Sequence, residues 1–99
     1  MVVVGLGGVM VEILRDTVVS PAPVTQAQAV RMLDRLKHAT ILDGARDLPP
    51  VDRSALAETV VRVSELLAHH ADQIAELDIN PVICRGDQII AVDALIIRT

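Results

Sequence analysis

The chain opens with two apolar runs, at 2–4 and 9–14, that are separated by a glycine-rich segment, and we predict strands at 1–4 and 9–19. β-branched residues in both runs favour strands, and glycine permits the positive φ that a tight hairpin turn needs. We therefore predict a first hairpin whose turn centres on Leu6 and Gly7, so that Val4 lies opposite Val9. The prolines that follow the second run end this strand, because proline donates no ladder hydrogen bond.

Apolar residues then recur three and four positions apart in two segments, which is the period of an amphipathic helix. The first predicted helix covers 26–38 and follows Thr25, a residue type that caps helix N-termini. The second covers 53–70 and follows Asp52, which we expect to cap it in the same way. The intervening stretch at 42–50 is rich in Gly, Pro and Asp, and is predicted to be an irregular connector.

Two strands are predicted in the C-terminal part, at 74–84 and 88–97, on either side of a turn at Gly86 and Asp87. The order ββ-αα-ββ predicts an α+β fold, an antiparallel four-stranded sheet with two helices packed on one face. Ninety-nine residues suffice for a single domain, which we place at 1–99. Because the chain begins directly in a strand, we expect it to be a fragment of a larger protein.

Composition restricts both the core and the partners. Hydrophobic residues make up 52% of the chain without any Phe, Tyr or Trp, so the core must be aliphatic. A net charge of −4 and the lack of aromatic residues argue against binding nucleic acid. The apolar N-terminus lacks a basic flank and is shorter than the ~20 residues of a membrane span, so we expect no signal peptide and no membrane. The single cysteine, Cys84, excludes an internal disulfide and indicates a reducing cytoplasm.

Polar residues inside the last two strands form the strongest candidate site. With a two-residue turn at Gly86 and Asp87, opposite residues of the hairpin place Asn80 against Asp93, about 5 Å apart at Cβ. Asp78 shares their face, because alternate residues of a strand point the same way. Carboxylate and amide oxygens are ligands that Mg²⁺ prefers. A metal site is one interpretation, and a polar, solvent-facing strand surface is the other, since Pro81 can also shift the register through a bulge.

The same residues resemble a known family. The segment Glu76-Leu77-Asp78-Ile79-Asn80-Pro81, followed by Val92-Asp93-Ala94, is similar to the C-terminal signature of the ATP-grasp domain in nucleoside-diphosphate-forming acyl-CoA synthetases. The segment Gly5-Leu6-Gly7-Gly8 with Glu12 resembles a second motif of that family. The connector from Leu42 to Asp52 resembles a third. The family includes ADP-forming acetyl-CoA synthetases and, more distantly, the succinyl-CoA synthetase beta chain.

The resemblance implies roles for the residues of the hairpin. It implies that Asn80 and Asp93 hold the Mg²⁺ of ATP or ADP, and that Asp78 lies near a phosphorylated histidine. Catalysis would interconvert acyl-CoA, ADP and phosphate with acid, CoA and ATP through an acyl phosphate and that phosphohistidine. The chain departs from the family at Ser20, where an Arg is usual.

Four further residues are candidates for contacts with the nucleotide. Gly7 and Gly8 either let the backbone approach phosphate or simply form the turn. Glu12 either lies near the phosphates and metal or is an ordinary solvent-facing glutamate. Arg46 either meets a phosphate or carboxylate through its guanidinium fork or anchors the connector.

Three functional hypotheses follow. The first is the C-terminal ATP-grasp portion of an ADP-forming acyl-CoA synthetase, whose partners are the remaining ATP-grasp and CoA-binding domains or subunit. The isolated chain is then expected to be inactive, because those parts are missing. The alternative is a non-catalytic α+β interaction module that forms a homo-oligomer through its exposed sheet. A fused enzyme that carries an additional acyltransferase domain is a third interpretation.

Overall fold

A computed structural model of the chain describes residues 1–6, 16–44 and 47–99. The described residues form an α+β structure of antiparallel strands and two α-helices. None of these helices is long and apolar enough to cross a membrane. In chain order the elements are β1 (Val2–Gly5), β2 (Thr17–Ser20), α1 (Gln26–Asp34), a short 3₁₀-helix (Ala39–Asp43), α2 (Arg53–His69), β3 (Ile74–Ile79), β4 (Val82–Arg85), β5 (Gln88–Ala91) and β6 (Ala94–Arg98).

Both predicted helix caps are confirmed. The Thr25 hydroxyl accepts the Gln28 backbone N–H at 3.2 Å, and the Gln28 side chain accepts the Thr25 N–H at 2.8 Å, which is a complete capping box. The Asp52 carboxylate accepts the Ala55 N–H at 3.1 Å at the start of α2. These bonds satisfy N–H groups that a helix cannot pair within itself.

The core lies between α1 and α2 and is closed by β1 and the 3₁₀-helix. As the composition requires, it is aliphatic. Its buried members are Val2, Val24, Ala29, Met32, Leu33, Leu36, Leu42 and Ala57. Small residues at Ala29 and Ala57 permit close approach of the two helices. The helices therefore form a single packed unit that supports the two hairpins.

Two polar side chains tie the helices to the rest of the chain. The buried Ser64 hydroxyl accepts the Val24 N–H at 3.1 Å and donates to the Val61 carbonyl at 2.7 Å. The guanidinium of Arg53 bonds to the carboxylates of Asp34 at 2.5 Å and Asp43 at 3.0 Å. These bonds fix the start of α2 against the end of α1 and against the connector.

The first hairpin has a different register from the predicted one. Val4 pairs with Val18 and not with Val9. The Leu6 N–H donates to the Asp16 carbonyl at 3.2 Å, which continues the same register. The predicted tight turn centred on Leu6 and Gly7, which would set Val4 opposite Val9, is therefore wrong. The observed register packs both paired valines against the aliphatic core, and this burial decides between registers that strand propensity alone leaves open.

The first helix ends at Asp34, earlier than the predicted end at residue 38. The reason is the buried carboxylate of Asp16, which accepts the N–H groups of Lys37 at 2.6 Å and His38 at 2.8 Å. In a longer helix those N–H groups would bond to carbonyls one turn earlier. The Asp16 carboxylate replaces these carbonyls as the acceptor and so ends α1. After α1 the chain continues as turns and the 3₁₀-helix.

Stability is expected to fall in acid through Asp16. Burial alone would raise the pKa of the Asp16 carboxyl, but the backbone N–H groups of His38 and Lys37 hold that pKa below its ordinary value. A carboxyl with a lower pKa in the folded state stabilises the fold above its unfolded pKa of about 3.9, and this stabilisation disappears as pH falls through the folded pKa. Thermal unfolding from pH 7 downward should show the wild type exceeding Asp16→Asn in Tm at neutral pH, with a gap that narrows in acid.

Asp87→Asn is the matched control, because Asp87 is exposed at the tip of the second hairpin. Its Tm is expected to follow that of the wild type at every pH. A gap between wild type and Asp16→Asn that stays constant throughout the acid range would contradict the assigned role of this carboxylate.

The second hairpin has the predicted register. Cys84 pairs with Ile89, and Val82 pairs with Ala91, around the turn at Gly86 and Asp87. The strands β3 and β6 extend this hairpin, and their ladder has a bulge near the start of β3, between Ile74 and Glu76, and not at Pro81.

The strands of this hairpin are interrupted in the middle, at Asn80-Pro81 and Val92-Asp93. Pro81 has no N–H to donate, so the ladder divides into the pairs β3–β6 and β4–β5. A third pair, β1–β2, is the first hairpin. Hydrogen bonds across the interruption keep β3–β6 and β4–β5 in one hairpin, and the described residues show no ladder between this hairpin and β1–β2.

Candidate functional site

The interruption of the second hairpin is the place where Asn80 and Asp93 meet. The Asn80 backbone N–H donates to the Asp93 carbonyl at 3.1 Å, and the Val92 N–H donates to the Pro81 carbonyl at 3.0 Å. These bonds carry the pairing across the gap between the two ladders. They place Asn80 and Asp93 directly opposite each other, as the register argument predicts.

The side chains of this pair are exposed and retain free oxygens. The Asp93 Oδ1 atom accepts the Ala94 N–H at 2.9 Å, which fixes the orientation of the carboxylate and leaves Oδ2 available. No described residue hydrogen-bonds to the side-chain amide of Asn80. A fixed carboxylate beside an uncommitted amide oxygen suits a hard cation.

Asp78 lies on the same face of the hairpin as Asn80 by strand alternation. It lies opposite Leu95 in the ladder and two positions before Asn80. Its carboxylate is exposed and makes no ion pair with any described residue. We name Asp78, Asn80 and Asp93 the hairpin cluster.

The hairpin cluster supplies two carboxylates and one amide oxygen, which fits the donor set of Mg²⁺. Magnesium is typically held by one or two carboxylates, with water and substrate phosphates as further ligands. Within the described ranges, no group of three His, Cys, Asp or Glu side chains is arranged to hold a metal by itself. The cluster is therefore suited to a shared site that a nucleotide completes, and not to a closed structural site.

The other predicted binding residues cannot be placed. Gly7, Gly8, Glu12 and Arg46 lie outside the described residues, so their contacts with a nucleotide stay predictions. The neighbouring connector is described as far as Gly44, whose φ of 95° lies in a region that L side chains rarely adopt.

Cys84 lies on the same side of the hairpin by strand alternation and is half-buried. Burial raises the pKa of the Cys84 thiol, so it stays protonated at neutral pH.

Sequence reasoning missed three polar residues that hold the scaffold, namely Asp16, Arg53 and Ser64. The bonds of Asp16 reach 21 and 22 residues along the chain, and that of Ser64 to Val24 reaches 40. No local pattern identifies such partners. For Ser64 the available signal is its place among the apolar positions of α2, where a hydroxyl is unexpected.

Residues 1–97 match a protein family described as the ATP-grasp domain. The chain belongs to the ATP-grasp family. The match covers both hairpins and both helices, and it favours the ligase interpretation over the non-catalytic interaction module.

A curated relative shows which branch of the family is similar. The beta subunit of the ADP-forming acetate–CoA ligase I from Pyrococcus furiosus is 46% identical over 96 residues, covering 97% of this chain but 41% of that subunit. The chain thus matches the ATP-grasp portion of ADP-forming acetyl-CoA synthetases and spans about two fifths of the length of this relative.

Solved structures support the same assignment. The dinucleotide forming acetyl-coenzyme A synthetase 1 of Ca. Korarchaeum cryptofilum, in complex with coenzyme A, acetyl-coenzyme A and a phosphorylated phosphohistidine segment, is 37% identical with a TM-score of 0.91. That alignment covers 98% of this chain and 43% of the other. A second structure of that enzyme, with coenzyme A and Mg-AMPPCP, has its phosphohistidine segment pointing towards the nucleotide-binding site and gives a TM-score of 0.88 at 37% identity, covering 98% and 45%.

Proposed function

We propose that this ATP-grasp chain supplies the metal ligands of the nucleotide site in an ADP-forming acyl-CoA synthetase. The observation that carries the proposal is the 3.1 Å hydrogen bond from the Asn80 N–H to the Asp93 carbonyl, which sets the two ligand side chains opposite each other. The Mg-AMPPCP in the similar acetyl-coenzyme A synthetase supports a magnesium-bound nucleotide as the ligand.

Each residue of the hairpin cluster has a defined part in this proposal. Asn80 offers its amide oxygen and Asp93 offers Oδ2, while the Ala94 N–H holds Asp93 Oδ1 in place. Bound Mg²⁺ would neutralise phosphate oxygens and orient the group in transfer. Asp78 is the proposed catalytic residue, positioned where its carboxylate faces a phosphorylated histidine brought by another part of the enzyme. Because the hairpin is stiff, the residues need little reorganisation on binding.

The reaction that we propose for the larger enzyme interconverts acyl-CoA, ADP and phosphate with acid, CoA and ATP. Phosphate first displaces CoA from acyl-CoA to give an acyl phosphate, whose phosphoryl group then passes to a histidine and releases the acid, and the histidine passes it to ADP to form ATP. This chain contributes charge and positioning to the last transfer. Since it spans about two fifths of the similar beta subunit, we expect it to be inactive alone.

The exposed apolar surface of the second hairpin supports the proposed partners. Ile83 and Ile90 face each other in the ladder and are 50% and 55% exposed, and Ile96, on the same face by strand alternation, is 54% exposed. Surfaces of this kind mark interfaces in soluble proteins. We infer that the remaining ATP-grasp and CoA-binding parts cover this surface.

Metal binding by the hairpin cluster tests the proposal. Calorimetric titration of the chain with Mn²⁺ in the presence of ADP should give an affinity that falls by ~10-fold or more in Asp93→Asn, because even outer-shell partners of metal ligands contribute 10–100-fold. Asparagine retains an acceptor for the Ala94 N–H, so the substitution removes charge without removing that bond.

Asp72→Asn removes one exposed carboxylate in the turn before β3 and is the matched control. It should leave the affinity unchanged. Equal losses in Asp93→Asn and Asp72→Asn would show that Mn²⁺ binds to surface acids in general and would refute the proposed ligand set.

A further inference from the structure

A polar groove runs between the end of β2 and one side of α1, with a volume of about 200 Å³. It shares no residue with the hairpin cluster. Its lining residues are Val19, Ser20, Gln28, Arg31, Met32 and Arg35. None of them is acidic and two are arginines, so the lining carries a formal charge of +2.

The two arginines of the groove stand one helical turn apart. Residues four apart on a helix are neighbours, and a like-charged pair at this spacing destabilises a helix. No described carboxylate lies within ion-pair distance of Arg31 or Arg35. The described ion pairs are Arg53–Asp34, Arg53–Asp43 and Arg62–Glu58. The charge of this groove is therefore not balanced within the described residues.

The position of Arg31 and Arg35 at the end of α1 explains in part why two arginines lie together there. Basic residues in the last turn interact favourably with the helix dipole. The helix dipole does not explain why further hydrogen-bond donors, Gln28 and Ser20, lie beside the two arginines. The side-chain oxygen Oε1 of Gln28 already accepts the Thr25 N–H. The side-chain NH₂ group of Gln28 therefore remains as a free donor. The Ser20 hydroxyl makes a single long bond, at 3.4 Å, to the adjacent Pro21 carbonyl.

We propose that this groove binds a diphosphate anion. The guanidinium of arginine is planar and grips phosphate oxygens through two parallel hydrogen bonds. Arg31 and Arg35 provide one such fork for each phosphoryl group, with Gln28 and Ser20 as lateral donors. From Gln28 to Arg35 the helix rises ~10 Å, which accommodates two linked phosphoryl groups. The diphosphate is either inorganic or the phosphate chain of a nucleotide, and both present the same oxygens.

The test is a titration of the ¹⁵N-labelled chain with sodium diphosphate, followed through the Arg Nε–H resonances. The buffer is free of divalent metal and held at constant ionic strength. Saturable shifts centred on Arg31 and Arg35 are expected, and Arg31→Gln should weaken binding by ~10-fold, the size of a lost charge-assisted hydrogen bond. Arg85→Gln removes the same charge from the second hairpin and should have no effect.

Two further arms separate this groove from the nucleotide site and identify the source of the anion. Asp93→Asn should leave the diphosphate shifts unchanged, so that failure of the hairpin cluster does not affect this test. ADP that shifts the same arginines identifies a nucleotide as the source, whereas binding of inorganic diphosphate alone identifies the free anion. Shifts that never saturate, or equal weakening in Arg31→Gln and Arg85→Gln, would overturn the proposal. If Arg31→Gln fails to fold, the shift map of the wild type decides alone.

Discussion

Leu33→Ala is expected to lower the free energy of unfolding by about 2–5 kcal/mol, the usual range for a large-to-small change in a core. Leu33 is 1% exposed and lies in α1 within the aliphatic core. The core contains no aromatic ring that can shift to fill the space, so the lost contacts are expected to stay lost. Since 1 kcal/mol corresponds to roughly 4–8 °C in a domain of this size, Tm should fall by at least ~8 °C.

Leu66→Ala is the matched control for this prediction. Leu66 is also helical, but its side chain is 42% exposed, so a smaller loss is expected. Urea unfolding of the full chain, followed by circular dichroism, measures both variants on one scale. Equal losses in the two variants would show that the interface of α1 and α2 is not the centre of stability.

Gly44→Ala is expected to lower the free energy of unfolding by ~3 kcal/mol, the upper end of the range for forcing a side chain into a conformation reserved for glycine. Gly44 has φ 95° and ψ 174°. A Cβ atom there would lie 2.8 Å from the Leu48 carbonyl oxygen and 2.9 Å from the Pro50 nitrogen. Both neighbours are backbone atoms, so the connector must move.

Gly86→Ala separates strain from crowding. Gly86 also has a positive φ, of 59°, but a Cβ atom there meets nothing within 4 Å. Its cost should be ~1–2 kcal/mol, the penalty for a left-handed residue alone. Chemical denaturation of both variants should therefore rank Gly44→Ala as the more damaging, and the reverse order would contradict the described packing of the connector.

The sequence predicted those parts of the fold whose signals are local. Thr25 and Asp52 cap their helices because short polar side chains reach the nearest free N–H groups. The second hairpin followed from its two-residue turn, which fixes the register of every later pair. That register alone is sufficient to place Asn80 opposite Asp93, because both residues lie the same number of positions from the turn.

The parts that sequence reasoning got wrong depend on distant contacts. The register of the first hairpin is set by burial of Val4 and Val18 against helices that follow later in the chain. The end of α1 is set by Asp16, whose carboxylate is brought to Lys37 and His38 by the fold itself. The joining of the two hairpins into one four-stranded sheet stays a prediction, because the described residues show three two-stranded ladders.

The candidate site divides along the same line. The register of the second hairpin identified Asp78, Asn80 and Asp93 from the sequence, the resemblance to the family gave them roles, and the structure confirms that Asn80 lies opposite Asp93. The polar groove between β2 and α1 could not be predicted from the sequence. Ser20 lies beside Gln28 and the arginines only because β2 packs against α1.

Asn80 and Asp93 together are proposed to hold the metal of the nucleotide. A measurement of where on the chain a paramagnetic metal binds checks this proposal. Amide NMR spectra of the ¹⁵N-labelled chain are recorded during titration with Mn²⁺, a paramagnetic substitute for Mg²⁺, with and without ADP. We expect broadening centred on Asn80 and Asp93, stronger with ADP and lost in Asp93→Ala. Broadening scattered over exposed acids, unchanged in Asp93→Ala, would contradict this proposal.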